Sequence, residues 1–351
     1  MKANESIDVD KLLTRYATGE RNFSGIHLMV ACLKQENLNR INLSNANLQG
    51  TNLSRARLIG ANFNGADLSQ VNLTMAVLVE ANLSGASLTN SILRNADLSG
   101  VMLSGAILSE TDLTGANLTG ASLISACLLN GCKLNDTILV GATLSRAILS
   151  GANLSGANLT RTILTEVDLS GANLSHAKLV RAYINQGNLS GANLSHADLS
   201  EASLREANLG VANLSVANLQ GADLSGSNLN GANLKGACLQ DTNLKDTYLN
   251  GLNLQNADLR RSDLTKANLR GANLSGANLE GATLLGADLR GANLSHANLT
   301  GAGLLLTSLK GANLTGANLC ATNLIGASLN IDNLNPASLE GAILPNGASY
   351  S

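Results

Sequence analysis

The sequence predicts an all-β fold, a coil in which every five-residue unit forms one side and then turns a corner. Three observations predict it. An apolar residue, nearly always Leu, recurs at every fifth position; a small residue, usually Ala, stands two positions before it; and mostly polar residues or Gly fill the rest of the unit. A period of five matches neither the repeat of an α-helix, about 3.6 residues, nor the two-residue alternation of a strand. It fits a solenoid whose Leu and Ala side chains point inward.

The repeat runs through nearly the whole chain with one change of phase. Its central position, here called i, falls at every fifth residue from Phe23 to Leu128 and again from Leu134 to Leu344. Position i−1 is usually Asn or Asp, and positions i+1 and i+2 are typically Ser or Thr followed by Gly or a charged residue. One residue is inserted in the run Leu129, Asn130, Gly131, whose Asn-Gly pair is a turn signal. We expect a bulge at one corner; a hinge or docking notch is the alternative.

The units ANLSG at 152–156 and ADLSG at 222–226 resemble the A(D/N)LXX motif of the pentapeptide-repeat family. This resemblance covers about nine-tenths of the chain. It implies a right-handed quadrilateral β-helix with four units in each coil. The organisation that we expect is an N-terminal capping segment with a short helix at 1–20, a pentapeptide-repeat β-helix at 21–345 and a C-terminal tail at 346–351.

The first residues of the chain predict a lid for the open edge of the first coil, which would otherwise invite aggregation. Residues 8–18 fit a short amphipathic helix that Asp8 can cap and Gly19 can end. The residues that share its apolar face are Val9, Leu12, Leu13 and Tyr16. The run LLTRYATGERNF at 12–23 resembles the opening of some cyanobacterial pentapeptide-repeat proteins, including a regulator of heterocyst differentiation.

Composition limits the classes of function. The formal net charge is −2 and aromatic residues make up 2%, so neither a basic stripe nor a stacking platform for nucleic acid is expected. We expect no secretory signal, no transmembrane helix and no membrane association. The five cysteines are odd in number and scattered, which favours a reducing, cytoplasmic location.

No arrangement of residues predicts catalysis, a cofactor or a metal. His176 and His196 share a predicted column one coil apart, but no Cys, Asp or Glu completes a set of ligands there. Charged residues twenty apart are expected to form surface ion pairs rather than acid–base pairs. These pairs are Arg146 with Glu166, Arg181 with Glu201, Asp241 with Arg261, and Asp246 with Lys266.

One surface feature departs from the repeat. Leu285, Leu305 and Ile325 stand at the normally polar position i+1 in consecutive coils, with Leu306 alongside. A contiguous apolar patch commonly marks a contact, although drift of the repeat explains it equally well. A lesser apolar group lies around the phase change: Met102, Ile107, Cys127, Leu129, Ile138 and Ile148.

The sequence therefore favours a non-enzymatic scaffold for protein–protein interaction, one version of which is a cyanobacterial regulatory protein. We expect an unknown protein partner and a monomer or weak homodimer. The alternative that the family resemblance allows is a DNA-mimicking topoisomerase-protection protein. A mimic needs a strongly acidic surface, whereas the charge here is nearly balanced and no C-terminal dimerisation helix is expected.

Overall fold

The computed structural model describes residues 7–129, 131–329 and 337–350. Within them the chain has one helix, α1 (Val9–Ala17), and its β-structure consists of single-residue bridges rather than extended strands. Parallel bridges join residues twenty apart, from Asn22↔Asn42 onward, so four pentapeptides complete each coil. This is the predicted β-helical coil with one short N-terminal helix. The chain divides into two compact units, Met1–Lys178 and Leu179–Ser351.

Each repeat can satisfy all five of its backbone N–H groups, as the unit 152–156 shows. Four of them donate to carbonyl oxygens: Ala152 to Leu149 at 3.0 Å, Asn153 to Cys132 at 3.0 Å, Leu154 to Asn173 at 2.7 Å and Gly156 to Ser175 at 3.0 Å. The fifth, on Ser155, donates to Oδ1 of Asn153 at 3.2 Å. The Asn or Asp at i−1 is therefore the acceptor that completes the turn, where an unpaired N–H would cost free energy.

The sequence pattern predicted only that the side chain at i−1 faces outward. In the structure this side chain also bonds the neighbouring coil. Nδ2 of Asn173 donates to Oδ1 of Asn153 in the preceding coil at 3.2 Å, and both side chains are half-buried. Asparagines in successive coils thus form a ladder across the sheet face. At the corner that follows, position i+2 adopts a left-handed backbone, as at Gly156 with φ +68.

The inward positions form the core, as predicted. Leu154 in the first unit and Leu224 in the second are fully buried. Where Thr or Ser replaces the inward Ala, its hydroxyl usually donates to a carbonyl; Oγ1 of Thr51 donates to Leu28 O at 2.7 Å. Each coil is therefore sealed by Leu and Ala, with few polar atoms inside.

Helix α1 covers the first coil. Asp8 caps it by accepting a hydrogen bond from the backbone N–H of Lys11 at 2.7 Å, and Leu12 is fully buried. The hydroxyl of Tyr16 donates to Asn39 O at 3.0 Å. The helix ends before Gly19, whose φ is +100. The short N-terminal helix that the sequence predicted is therefore present and packs on the first coil.

The inserted residue changes the register of one coil. Asp112 pairs with Lys133, and Cys127 pairs with Ile148, so each partner lies twenty-one residues away; the spacing returns to twenty at Lys133↔Asn153. Of the predicted bulge, Leu129 is half-buried and Gly131 has φ +77, whereas Asn130 lies outside the described residues.

The chain turns back on its last described coil. Ile343 forms an antiparallel bridge with Ser349, and the backbone N–H of Tyr350 donates to Ala342 O at 2.8 Å. Gly347 makes the reversal with φ +83. The described residues of the expected tail are therefore paired with the coil.

Candidate protein-docking surface

The apolar stripe that the sequence singled out, Leu285, Leu305, Leu306 and Ile325, lies in three successive coils of the second unit. The backbone N–H of Gly286 donates to Leu305 O at 2.9 Å, and that of Leu306 donates to Ile325 O at 3.0 Å, so the coils are direct neighbours. Leu285 and Ile325 are exposed, and Leu305 between them is half-buried. The stripe is contiguous along the coil axis.

Leu306 extends the stripe around the corner. Its side chain is 61% exposed, the largest value in the stripe, and its backbone is left-handed with φ +57. Its Cδ2 lies 2.8 Å from the place that a Cβ at Gly326 would occupy. Leu306 therefore leans over the glycine of the next coil and presents apolar surface at the edge between two faces.

A gap in the side-chain ladder lies beside the stripe at Gly303. This residue pairs with Thr283 and Asn323 in a ladder of i−1 positions, the position that carries Asn or Asp in most repeats of the chain. A Cβ added to Gly303 would meet no heavy atom within 4 Å, and its φ is not left-handed. The face thus has an open position next to Leu305, with polar side chains above and below.

A basic column flanks the stripe on the next face, and the sequence analysis did not identify it. Arg270, Arg290 and Lys310 occupy position i+1 in three successive coils, and all three are exposed. The column could have been found from the sequence, since the three residues are twenty apart and all carry a positive charge. The column and the stripe run side by side, separated by the corner that Leu306 occupies.

One carboxylate lies within this column. Asp288 is bonded by Arg290 in a bidentate pair, and its Oδ2 lies 3.9 Å from Nε of Arg270. The hydrogen bond from Arg290 holds the pKa of Asp288 below its ordinary value, although partial burial opposes this. Lys310 forms no ion pair with any residue that the structure describes. Three cations thus face a single acid, and the column keeps a positive charge.

Three of the four predicted ion pairs are present. Arg146 bonds Glu166 at 3.0 Å, Arg181 bonds Glu201 at 2.7 Å and Arg261 bonds Asp241 at 2.7 Å. The fourth prediction is wrong: within the described residues, Asp246 and Lys266 form no ion pair. The structure gives no reason for its absence: the Cγ of Lys266 lies 3.9 Å from the Cβ position of Gly286, but that of Arg261 lies 3.6 Å from Gly281, and Arg261 still bonds Asp241.

The lesser apolar group around the phase change is only partly brought together. Ile107, Cys127 and Ile148 are joined by successive bridges and form a column in the first unit, with Leu129 half-buried beside Cys127 on the same face. Met102 and Ile138 lie in other columns, where their bridge partners are Asn or Ser.

The described residues hold no cluster of three or more His, Cys, Asp or Glu side chains that would bind a metal. Cys132 occupies an inward position, and burial raises the pKa of its thiol to about 12. Such a thiol is inert at neutral pH, because the thiolate is the reactive form.

No helix in the described residues has the length and apolar character needed to cross a bilayer.

Comparison with known sequences decides the family. The profile described as Pentapeptide repeats (8 copies) matches residues 37–74, 81–120, 96–136, 127–165, 152–191, 168–210, 212–246, 227–265, 242–281, 267–304 and 307–330. The chain belongs to the pentapeptide-repeat family. The resemblance inferred from the repeat units is thereby confirmed, and this pentapeptide-repeat protein has no match among the curated proteins.

Among solved structures, the pentapeptide-repeat chain is similar to HetL from the cyanobacterium Nostoc sp. strain PCC 7120, a protein involved in heterocyst differentiation regulation. The identity is 30%, over 98% of this chain and 100% of HetL, with a TM-score of 0.25. It is also similar to Rfr23 from the cyanobacterium Cyanothece 51142. The identity there is 32%, over 31% of this chain and 90% of Rfr23, with a TM-score of 0.29.

A third similarity is to QnrB1, a plasmid-mediated fluoroquinolone resistance protein. A trypsin-treated variant of it is 23% identical over 56% of this chain and 90% of its own, with a TM-score of 0.25.

Proposed function

We propose that this pentapeptide-repeat protein is a non-enzymatic scaffold for protein–protein interaction, and that the stripe Leu285, Leu305, Leu306 and Ile325 is its contact surface. The observation that carries the proposal is the stripe itself: apolar side chains at an outward position in three consecutive coils, with Leu285, Leu306 and Ile325 exposed. Burying several such side chains contributes a few kcal/mol, about 1.5–3 kcal/mol for each one fully buried.

That gain supports a reversible contact rather than an obligate dimer once the cost of association is subtracted. The proposal therefore includes a cytoplasmic protein that is a monomer or weak homodimer by itself, with the right-handed quadrilateral helix that the family implies. It places the β-helix at 21–345, the cap at 1–20 and the tail at 346–351. One version of the proposal is a regulatory role, because residues 12–23 resemble the opening of some cyanobacterial pentapeptide-repeat proteins.

The phase change at Leu129, Asn130 and Gly131 is a second candidate contact. The apolar column Ile107, Cys127 and Ile148 crosses the coils on either side of it. It ranks below the stripe because Cys127, in the middle of the column, has a smaller apolar side chain than Leu305 in the middle of the stripe.

Topoisomerase protection is the less supported function. Glu201 and Asp241, exposed acids of the second unit, are paired with Arg181 and Arg261 in neighbouring coils. Such pairing cancels the negative field that an imitation of a DNA duplex requires. The charge distribution therefore favours the scaffold.

Affinity capture from the source cells tests the scaffold. The stripe variant carries Leu285→Ser, Leu305→Ser and Ile325→Ser. A matched control carries Ile92→Ser, Ile138→Ser and Ile163→Ser, three exposed isoleucines of the first unit that lie in three different columns. We expect the control to retain the captured proteins and the stripe variant to lose one of them. Equal capture by both variants would contradict a role for the stripe.

A further inference from the structure

We propose that the stripe docks one amphipathic α-helix of another protein, with an apolar seam on the stripe and an acidic flank against Arg270, Arg290 and Lys310. This inference rests on the proposed function and specifies the chemistry of the partner. It combines the spacing of the coils, the gap at Gly303 and the charge of the basic column.

The spacing along the coil axis favours a helix over a strand. Neighbouring coils lie about 4.8 Å apart, as in any β-sheet. Residues on one face of an α-helix recur with its pitch of about 5.4 Å, whereas same-side residues of a strand recur about every 6.6 Å. Leu285, Leu305 and Ile325 span two coil spacings. Over that distance the side chains of a helix fall out of step with the coils by about 1 Å, and those of a strand by nearly 4 Å. A helix can therefore set one side chain against each coil.

The gap at Gly303 supplies a place for one of those side chains. Its outward position is empty, and a Cβ there would have no neighbour within 4 Å. Leu305 follows two residues later in the same repeat, while Thr283 and Asn323 continue the ladder on either side. A Leu or Met of the partner helix that enters this gap would contact Leu305 and fix the position of the helix along the coils.

The basic column determines which flank the helix presents. Arg270 and Arg290 share a single carboxylate, Asp288, and Lys310 forms no ion pair within the described residues. Carboxylates at successive turns of a docked helix would therefore meet an excess of positive charge. Within the described residues a second copy of this chain offers only α1, whose apolar Leu12 is already buried. Nucleic acid would neutralise the column but leave the stripe exposed to water.

A synthetic helical peptide provides the probe. It carries Leu at positions i, i+3, i+4 and i+7 and Glu along one flank. One reference peptide replaces each Glu by Lys, and a second keeps the composition but scatters the Leu residues. Binding of each to the full chain is measured by fluorescence anisotropy as a function of salt, which screens exposed charges.

The decisive variant is Gly303→Asn, which fills the gap with the commonest i−1 residue of the repeat. It should fold, because a Cβ there meets no heavy atom within 4 Å and an Asn Oδ1 can accept from the N–H of Leu305, as at other turns. Ser203→Asn is the control, since it introduces the same residue at the same position of the same face, five coils earlier, where the wild type already carries a side chain. Leu305→Ser is the second test if Gly303→Asn lowers the melting temperature.

We expect the Glu peptide to bind the wild type, and the Lys and scattered peptides to bind at least about tenfold more weakly, a difference of ~1.4 kcal/mol. Gly303→Asn and Leu305→Ser should each weaken the Glu peptide about tenfold, while Ser203→Asn should not. Arg270→Ser with Lys310→Ser should weaken binding and flatten its salt dependence.

Equal binding of the Glu and Lys peptides, an unchanged affinity for Gly303→Asn and Leu305→Ser, or no peptide binding would overturn the inference. A different result is that the Glu peptide fails to bind while the stripe variant still loses a captured protein. That result would reject the acidic helix as the partner but would leave the scaffold proposal standing. Binding of a DNA oligonucleotide through the column, unaffected by the Leu variants, would point instead to nucleic acid.

Discussion

Leu306 lies over Gly326 of the next coil, with its Cδ2 only 2.8 Å from the position that a Cβ at residue 326 would take. The glycine therefore does more than permit the left-handed turn, for which φ is +68. It also leaves room for the leucine to lie along the corner. In this way a small residue in one coil sets the orientation of an apolar side chain in its neighbour.

Substitution of this glycine tests whether Leu306 belongs to the docking surface. Gly326→Ala and Gly271→Ala should each lose about 1 kcal/mol of stability, because both residues have left-handed backbones. Only Gly326→Ala should also weaken partner binding, since a Cβ at Gly271 meets nothing within 4 Å. Denaturant unfolding and the anisotropy assay measure the two effects. Equal binding by the two variants would show that Leu306 is not part of the docking surface.

A pair of truncations in the second unit tests the assignment of inside and outside. Leu224→Ala should cost about 2–5 kcal/mol, because Leu224 is fully buried. Asn228→Ala should cost about 1 kcal/mol, since Asn228 accepts from the N–H of Asn230 and donates to Asn208, both at 3.1 Å. Comparable losses in denaturant melts would show that the leucine is not the main source of stability.

A double-mutant cycle tests the acceptor role of position i−1. Arg57 lacks a side-chain carbonyl, and the N–H of Ile59 donates instead to Oδ1 of Asn39 in the preceding coil at 2.9 Å. Asn39→Ala should therefore cost about 1 kcal/mol. In an Arg57→Asn background the new Asn can accept from Ile59, and the same truncation should cost little. Equal costs in both backgrounds would contradict this account of the repeat.

The pH dependence of the unfolding free energy should reveal the contribution of the Asp112 carboxylate to stability. Burial raises the pKa of this carboxyl, but hydrogen bonds from Arg94 and Thr114 outweigh it and hold the pKa below its ordinary value. A lowered folded-state pKa stabilises the protein above the unfolded value of about 3.9, and the gain disappears as the pH falls through the folded-state pKa.

We therefore expect Asp112→Asn to reduce the unfolding free energy most at neutral pH and progressively less in acid. Chemical denaturation at several pH values measures this difference. Arg94→Gln should reduce stability over the same pH range and add little to Asp112→Asn. A constant difference between wild type and Asp112→Asn down to pH 2 would show that the carboxylate contributes nothing through its charge.

A supercoiling assay separates the scaffold from the topoisomerase-protection alternative. At stoichiometric concentration the purified chain should leave DNA gyrase active, because its formal net charge of −2 cannot imitate a duplex. Inhibition, or rescue of gyrase from a quinolone, would favour the alternative.

The sequence predicts much of this fold because one short pattern recurs. The five-residue period places Leu154 and Leu224 inside, and the twenty-residue coil places Arg146 beside Glu166. The stripe could be identified by the same column arithmetic. The basic column Arg270, Arg290 and Lys310 can be found in the same way, by searching for residues of like charge that are twenty positions apart.

Other features depend on geometry that the period does not encode. The sequence shows Asn39 and Ile59 in neighbouring coils, but not that one accepts a hydrogen bond from the other in place of Arg57. Residues Pro345, Asn346 and Gly347 contain a turn signal, yet the antiparallel return to Ile343 depends on an open edge of the last coil.

The central claim is that the stripe docks a protein, and hydrogen exchange with and without the captured partner tests it most directly. We predict slower exchange on binding at residues 284–326, centred on Leu305 and Leu306, and little change in the first unit. Protection elsewhere in the described chain, with none at 284–326, would contradict the claim and identify the stripe as drift of the repeat.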